Sequence, residues 1–233
     1  MRRLAIVAAA ALLALAGAVE AKVIRGTGRG ERIVGTRSAD RLLGRGGNDR
    51  IYGLRGSDAI LGGAGRDRVY GEDGADRLSG QDGEDVVVGG SGPDRISGGT
   101  GNDKLYGGSG NDRIGGGNSG NDRIVGGSGN DVLFDFAGRN SIAGGNGDDT
   151  ITGGPLADTL SGGAGADVID GGAGWDEIVG GPGVDELNGG PGNDTIDARD
   201  GEQDTIDCGD GFDTVRVDAE EDGVFNCENI LLP

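Results

Sequence analysis

The sequence predicts an all-β fold, a right-handed parallel β-roll (β-solenoid) assembled from nine-residue half-coils. Three observations predict it. Asp recurs every nine residues along most of the chain, an aliphatic residue follows it two places on, and glycines fill the stretch between. Gly supplies 55 of the 233 residues, aromatics make up 3%, and His is absent. Large buried rings cannot form the core of such a chain, and its net charge of −19 opposes compaction. Some regular device must satisfy the backbone and neutralise the acid.

The unit is clearest in Gly98-Gly99-Thr100-Gly101-Asn102-Asp103-Lys104-Leu105-Tyr106, which reads G-G-x-G-x-D-x-U-x with U aliphatic. Numbering these places one to nine, Asp holds place six at 40, 49, 58, 67, 76, 85, 94, 103 and 112. It returns at 122, 131, 149, 158, 167, 176, 185, 194, 204 and 213, with Asn140 in the one gap. The steps from 112 to 122 and from 194 to 204 each carry one inserted residue. Place eight runs in the same phase from Ile24 and Ile33 through Leu105 and Ile114 to Val215.

Residue chemistry explains the unit. An x-U-x triplet forms a short strand whose central side chain points one way and whose neighbours point the other. The other six residues must turn the chain, and glycine reaches the left-handed conformations such a turn needs while leaving carbonyl oxygens unshielded. A carboxylate beside bare carbonyls suits a hard cation that takes 6–8 oxygen ligands. Without His or paired thiols, zinc and copper sites are not expected. Two units make one coil of eighteen residues, so the array should form about 11 coils and a rod roughly 50 Å long at ~4.8 Å per coil.

These repeats resemble the RTX, or haemolysin-type, calcium-binding nonapeptide repeats over residues 26–215. Ten turns match G-G-x-G-x-D in full, ending at Asp67, Asp94, Asp103, Asp112, Asp131, Asp149, Asp167, Asp176, Asp185 and Asp194. The resemblance implies calcium between stacked turns, held by these aspartates and by turn carbonyls. The alternative for any one Asp is a turn residue capping its own backbone. Turns such as Gly53–Asp58 and Gly44–Asp49 lack the second Gly, and for them both readings stay open.

Alternate repeats fall on opposite sides of a roll. One side then carries Asp76, Asp94, Asp112, Asp131, Asp149, Asp167, Asp185 and Asp204, with six full matches in succession. The other carries Asp67, Asp85, Asp103, Asp122, Asn140, Asp158, Asp176 and Asp194, broken in its middle by an insertion near Asn118, by Asn140 and by Leu156. Charge divides the chain differently. Residues 22–129 hold 16 basic against 15 acidic residues, whereas 130–233 hold 3 against 24. Arg41, Arg50, Arg68, Arg77, Arg95, Arg113 and Arg123 directly follow a turn Asp, and are expected to neutralise carboxylates of neighbouring coils in part.

Met1-Arg2-Arg3 and the apolar run from Leu4 to Val19 read as a secretory signal of residues 1–21. A membrane anchor is the alternative, but the run falls short of the ~20 residues a span needs. The roll is expected over 22–197 and a capping segment over 198–233, with Phe212, Phe225, Ile230, Leu231 and Leu232 as an apolar plug. Cys208 and Cys227 have only each other to pair with; they lie about one coil apart, which predicts a disulfide. Val34, Tyr52, Tyr70, Val88, Tyr106 and Val125 should stack on the outer face of one sheet, either as ordinary strand residues or as a strip for a protein or glycan partner. Acidity makes nucleic acid and anionic membrane poor partners. The sequence holds no H-E-x-x-H or G-x-S-x-G motif, so the leading expectation is a secreted, calcium-stabilised, non-catalytic rod. The alternatives are an adhesin or matrix protein and a carbohydrate-active enzyme on a β-solenoid.

Overall fold

The structure, a computed structural model, describes residues 20–218 and 223–232. Among them every regular element is a β-strand, from Val23–Arg25 to Asn229–Leu231. Alternate strands belong to alternate sheets, giving two twelve-stranded sheets in which every pairing is parallel. Each strand pairs with the strand one coil away. Leu105 faces Val87 at a spacing of eighteen, and faces Ile124 across the insertion. The extra residue is absorbed as a bulge between Gly117 and Ser119, and register resumes on both sides of it.

The predicted core is the observed one. From Ile33 to Val215 every place-eight aliphatic is at most 5% exposed, and together they form one continuous ribbon between the sheets. Towards the C-terminal end, the glycine of place one gives way to Ala198, Cys208 and Val217, and all three are buried. Cys208 thus points inward and bonds to Cys227 in the next coil, with Cα atoms 5.2 Å apart. Closing a loop of that size stabilises the chain by about 3 kcal/mol on the chain-entropy account.

Three expectations need correction. Strands in the N-terminal two-thirds are mostly six residues long rather than three, as in Arg95–Thr100 and Lys104–Ser109. Stacking brings the turn glycines themselves into the ladder, as in the pairing of Gly90 with Gly108. Three-residue strands return at Glu177–Val179 and Glu186–Asn188, where Pro182 and Pro191 at place three lack an N–H to donate. Secondly, 198–233 goes on adding strands, and Phe212 is 67% exposed, with Phe225, Leu231 and Leu232 exposed as well. Ile230 sits in register with Val215 yet is 48% exposed, because no described coil lies beyond it.

Thirdly, among the described residues none of the seven arginines that follow a turn Asp pairs with an acid. The ion pairs are Arg55–Asp73, Arg66–Glu84 and Arg199–Asp197, all on the surface. Place seven points out of the sheet while the place-six carboxylate points into the turn, so neighbours in sequence end up on opposite sides of the backbone. Arg113 lies instead over the Phe134 ring, at 4.5 Å. The predicted strip from Val34 to Val125 is in register, and Tyr52 and Tyr70 stack at 5.0 Å with Arg32 over Tyr52.

Four turns without the second glycine keep the left-handed backbone at place two. Arg45, Leu54, Glu72 and Gln81 stand at place two with φ between 75° and 83°. Gln81 is exposed, and Gly63 and Gly99 occupy its register in the adjacent coils. Replacing it by Gly removes left-handed strain of ~1–2 kcal/mol and adds unfolded-state entropy of ~0.5–1 kcal/mol. Gln81→Gly is therefore expected to raise stability by about 1 kcal/mol in thermal unfolding at fixed calcium. A lowered midpoint would show that the coil imposes no strain there.

Candidate metal centre

Each turn folds its place-six Asp inward, and all of these residues are nearly inaccessible to solvent. One carboxylate oxygen has a fixed duty. Oδ1 of Asp112 accepts the backbone N–H of Asp94 at 2.8 Å, Oδ1 of Asp131 accepts that of Asp112 at 2.7 Å, and Oδ1 of Asp149 accepts that of Asp131 at 2.8 Å. The row continues through Asp167 and Asp185 to Asp204. The opposite row runs from Asp67 through Asp85, Asp103, Asp122, Asn140, Asp158 and Asp176 to Asp194. The ten sequence-predicted sites therefore lie in two rows with the parity the nine-residue count implies.

The other oxygen has no such duty. Oδ2 is buried without a hydrogen-bond partner in all ten of those aspartates, and equally in Asp49, Asp58, Asp76, Asp85, Asp158 and Asp213. Asp40 shows the contrasting case. There the N–H of Thr36, at place two, donates to Oδ2, so this Asp caps its own turn. In later turns a left-handed residue at place two turns that N–H away.

What Oδ2 faces is seen from the glycine of place one. A Cβ on Gly107 would collide with both Asp112 Oδ2 and the carbonyl oxygen of Gly126 in the next coil, and the same holds at Gly126 and Gly144. At these turns place one must be Gly because two oxygens already converge above its Cα. Two lone-pair-bearing oxygens, one of them anionic, are brought together out of water with no donor between them. A buried acceptor left this way costs roughly 1–3 kcal/mol, and more when charged. A hard divalent cation resolves that cost with the donors present, carboxylates and carbonyls. Among the described residues no three acidic, His or Cys side chains cluster, so a cation here relies on backbone oxygens as much as on side chains.

Sequence reasoning missed two features. Asparagine at place five is a second ladder: Asn48 Oδ1 accepts the N–H of Arg66, Asn102 that of Asn121, and Asn111 that of Asn130. Asp135, at place one, is buried, and no N–H donor reaches its Oδ2. It was legible only as a departure from the consensus.

The comparisons with known proteins agree with this geometry. Residues 25–215 match the family described as RTX calcium-binding nonapeptide repeat (4 copies), in segments 25–60, 53–87, 61–96, 88–118, 116–151, 152–187 and 179–215. Comparison with curated proteins gives no match. The fold and the paired turn rows define a calcium-repeat β-solenoid. The chain belongs to the RTX calcium-binding nonapeptide repeat family.

Burial pushes the row carboxyls up, to about 7 for Asp94, Asp103, Asp149 and Asp176 and to about 6 for Asp58, Asp112 and Asp167. Loss of water is the largest cause; the N–H at Oδ1 pulls back, and carboxylates of neighbouring coils push further upward. Folded values above the ordinary 3.8 mean that ionisation opposes the metal-free fold. The stability these groups provide is complete below about pH 4 and is lost as pH rises through about 6 to 7. In chelator, strand circular dichroism should therefore increase on acidification from about pH 8 to about pH 5, whereas calcium affinity should fall as protons compete for the same oxygens. A metal-free chain that gains structure as pH rises would contradict this.

Proposed function

We propose that this is a secreted calcium-binding protein, a rod stiffened by ions in its turn rows and without a catalytic site. The observation that carries the reading is the row of buried Oδ2 atoms lacking a donor, set at turns such as those of Asp112, Asp131 and Asp149 against carbonyl oxygens. Five ions belong between the pairs 94/112, 112/131, 131/149, 149/167 and 167/185, and one at 176/194 on the opposite side. Each joins two coils, so calcium acts as the tie between neighbours that a one-dimensional array needs.

Export is supported by the leader pattern of residues 1–21, nearly all of which lie outside the described residues, and by the Cys208–Cys227 bridge. Among the described residues no helix is long and apolar enough to cross a membrane. Extracellular calcium fills sites with dissociation constants on the order of 10⁻⁴–10⁻³ M, so such a rod would be loose before export and firm after it. The perturbed carboxyls serve the turn rows, which supports a binding role over catalysis. The tyrosine strip packs on itself, with Tyr52 against Tyr70, and so fits strand packing better than a partner site.

Calcium stoichiometry tests the reading. Asp149 lies between two proposed ions, so Asp149→Ala should remove two of them by isothermal calorimetry. Asn140→Ala, which deletes no carboxylate, should leave the count unchanged. Equal losses in the two variants, or no calcium in the wild type, would contradict the assignment.

A further inference from the structure

The turn ending at Asn140 reads Asp135-Phe136-Ala137-Gly138-Arg139-Asn140, so it has lost the carboxylate at place six and both leading glycines. The amide that replaces the carboxylate keeps half of its duty. Asn140 Oδ1 accepts the N–H of Asp122 at 3.0 Å, as an aspartate would, while its Nδ2 turns towards the carbonyl of Gly138 at 3.4 Å. An N–H₂ group cannot ligate a cation, so this side chain maintains the ladder and contributes nothing to a metal.

The missing charge reappears five residues earlier. Asp135 is 1% exposed, its Oδ1 accepts the N–H of Ala137 at 3.1 Å, and no N–H donor reaches its Oδ2. Its side chain folds back over the preceding coil. A Cβ on Gly116 would collide with Asp135 Oδ2 and Asp122 Oδ2 together, so two carboxylate oxygens that no N–H donor reaches converge above one glycine. In intact turns such as those of Gly107, Gly126 and Gly144 that place is shared by one Asp and one carbonyl. Here it is shared by two carboxylates, both buried, and Asp122 is itself only 3% exposed. The field of Asp158, in the following coil, acts on Asp135 as well. Burial, then the Asp122 charge, a side-chain hydrogen bond with Asp122 and the Asp158 charge, raise Asp135 out of the ordinary carboxylate range.

We propose that Asp122 and Asp135 jointly hold one divalent hard cation, a site in which place one supplies the carboxylate that place six has lost. Two charges facing each other out of water are balanced in full by a divalent ion and only by half if they share a proton. The effect would be to bridge the damaged middle of the second row, where Asn140 and the insertion at Asn118 interrupt the consensus. The site rests on the reading that intact turns bind calcium, and adds an ion where the repeat pattern allots none.

Native mass spectrometry of the full chain in calcium tests it. Asp135→Asn should carry one ion fewer than the wild type, and Asp135→Gly/Asn140→Asp, which returns the carboxylate to place six, should regain it. An unchanged count in Asp135→Asn would overturn the site and leave the intact rows standing, whereas a wild type without any calcium would overturn the parent reading too. Should Asp135→Asn fail to fold, the wild type alone decides: terbium-soaked crystals should show an anomalous peak within bonding distance of both Oδ2 atoms. Filled row sites with no peak between Asp122 and Asp135 would overturn the proposal, and would mean that the pair shares a proton.

Discussion

The structure depends on a carboxylate that is only half satisfied. Oδ1 of the place-six Asp accepts the backbone N–H of the place-six residue one coil earlier, so the acid itself stitches coil to coil. Oδ2 is thereby held in the turn, out of water and without a donor. Where the place-two N–H is turned away, aspartate performs the first task only by incurring the second. The roll therefore carries its own requirement for a cation, built from the same side chain that sets its spacing.

That requirement is uneven along the rod. Aliphatic burial is nearly uniform from Ile33 to Val215, so the ribbon of core residues does not distinguish one end from the other. Charge does. Residues 130–233 hold 24 acidic residues against 3 basic ones, whereas the preceding stretch is close to neutral. The N-terminal arginines do not reach the turn carboxylates, but they reduce the net field the first coils must overcome. Nearest the N-terminus, Asp40 meets its own backbone donor at Thr36 and is free of the demand altogether.

Much of this was legible in the sequence because the repeat leaves few choices. A period of nine with one buried residue per unit fixes which side chain points inward, and two units per coil fix that Leu105 meets Val87 and Ile124. Parity then follows, including which row the insertion and Asn140 interrupt. What escaped was set by space rather than by order. Asp135 reads as a broken consensus until its carboxylate is seen over Gly116. The arginines after each Asp look like its partners in sequence, yet the backbone separates them. Phe212 and Phe225 suggest a plug, but apolar character alone does not say whether a side chain has anything to pack against.

The central claim is that a cation completes this fold, and chelation tests it most directly. Circular dichroism and small-angle scattering should be recorded on the full chain near neutral pH, first in chelator and then with calcium restored. The account predicts an expanded, strand-poor chain without the ion, collapsing to a rod roughly 50 Å long when calcium returns. An equally compact and strand-rich chain in chelator would contradict it, since the buried carboxylates would then be tolerated with no ion at all.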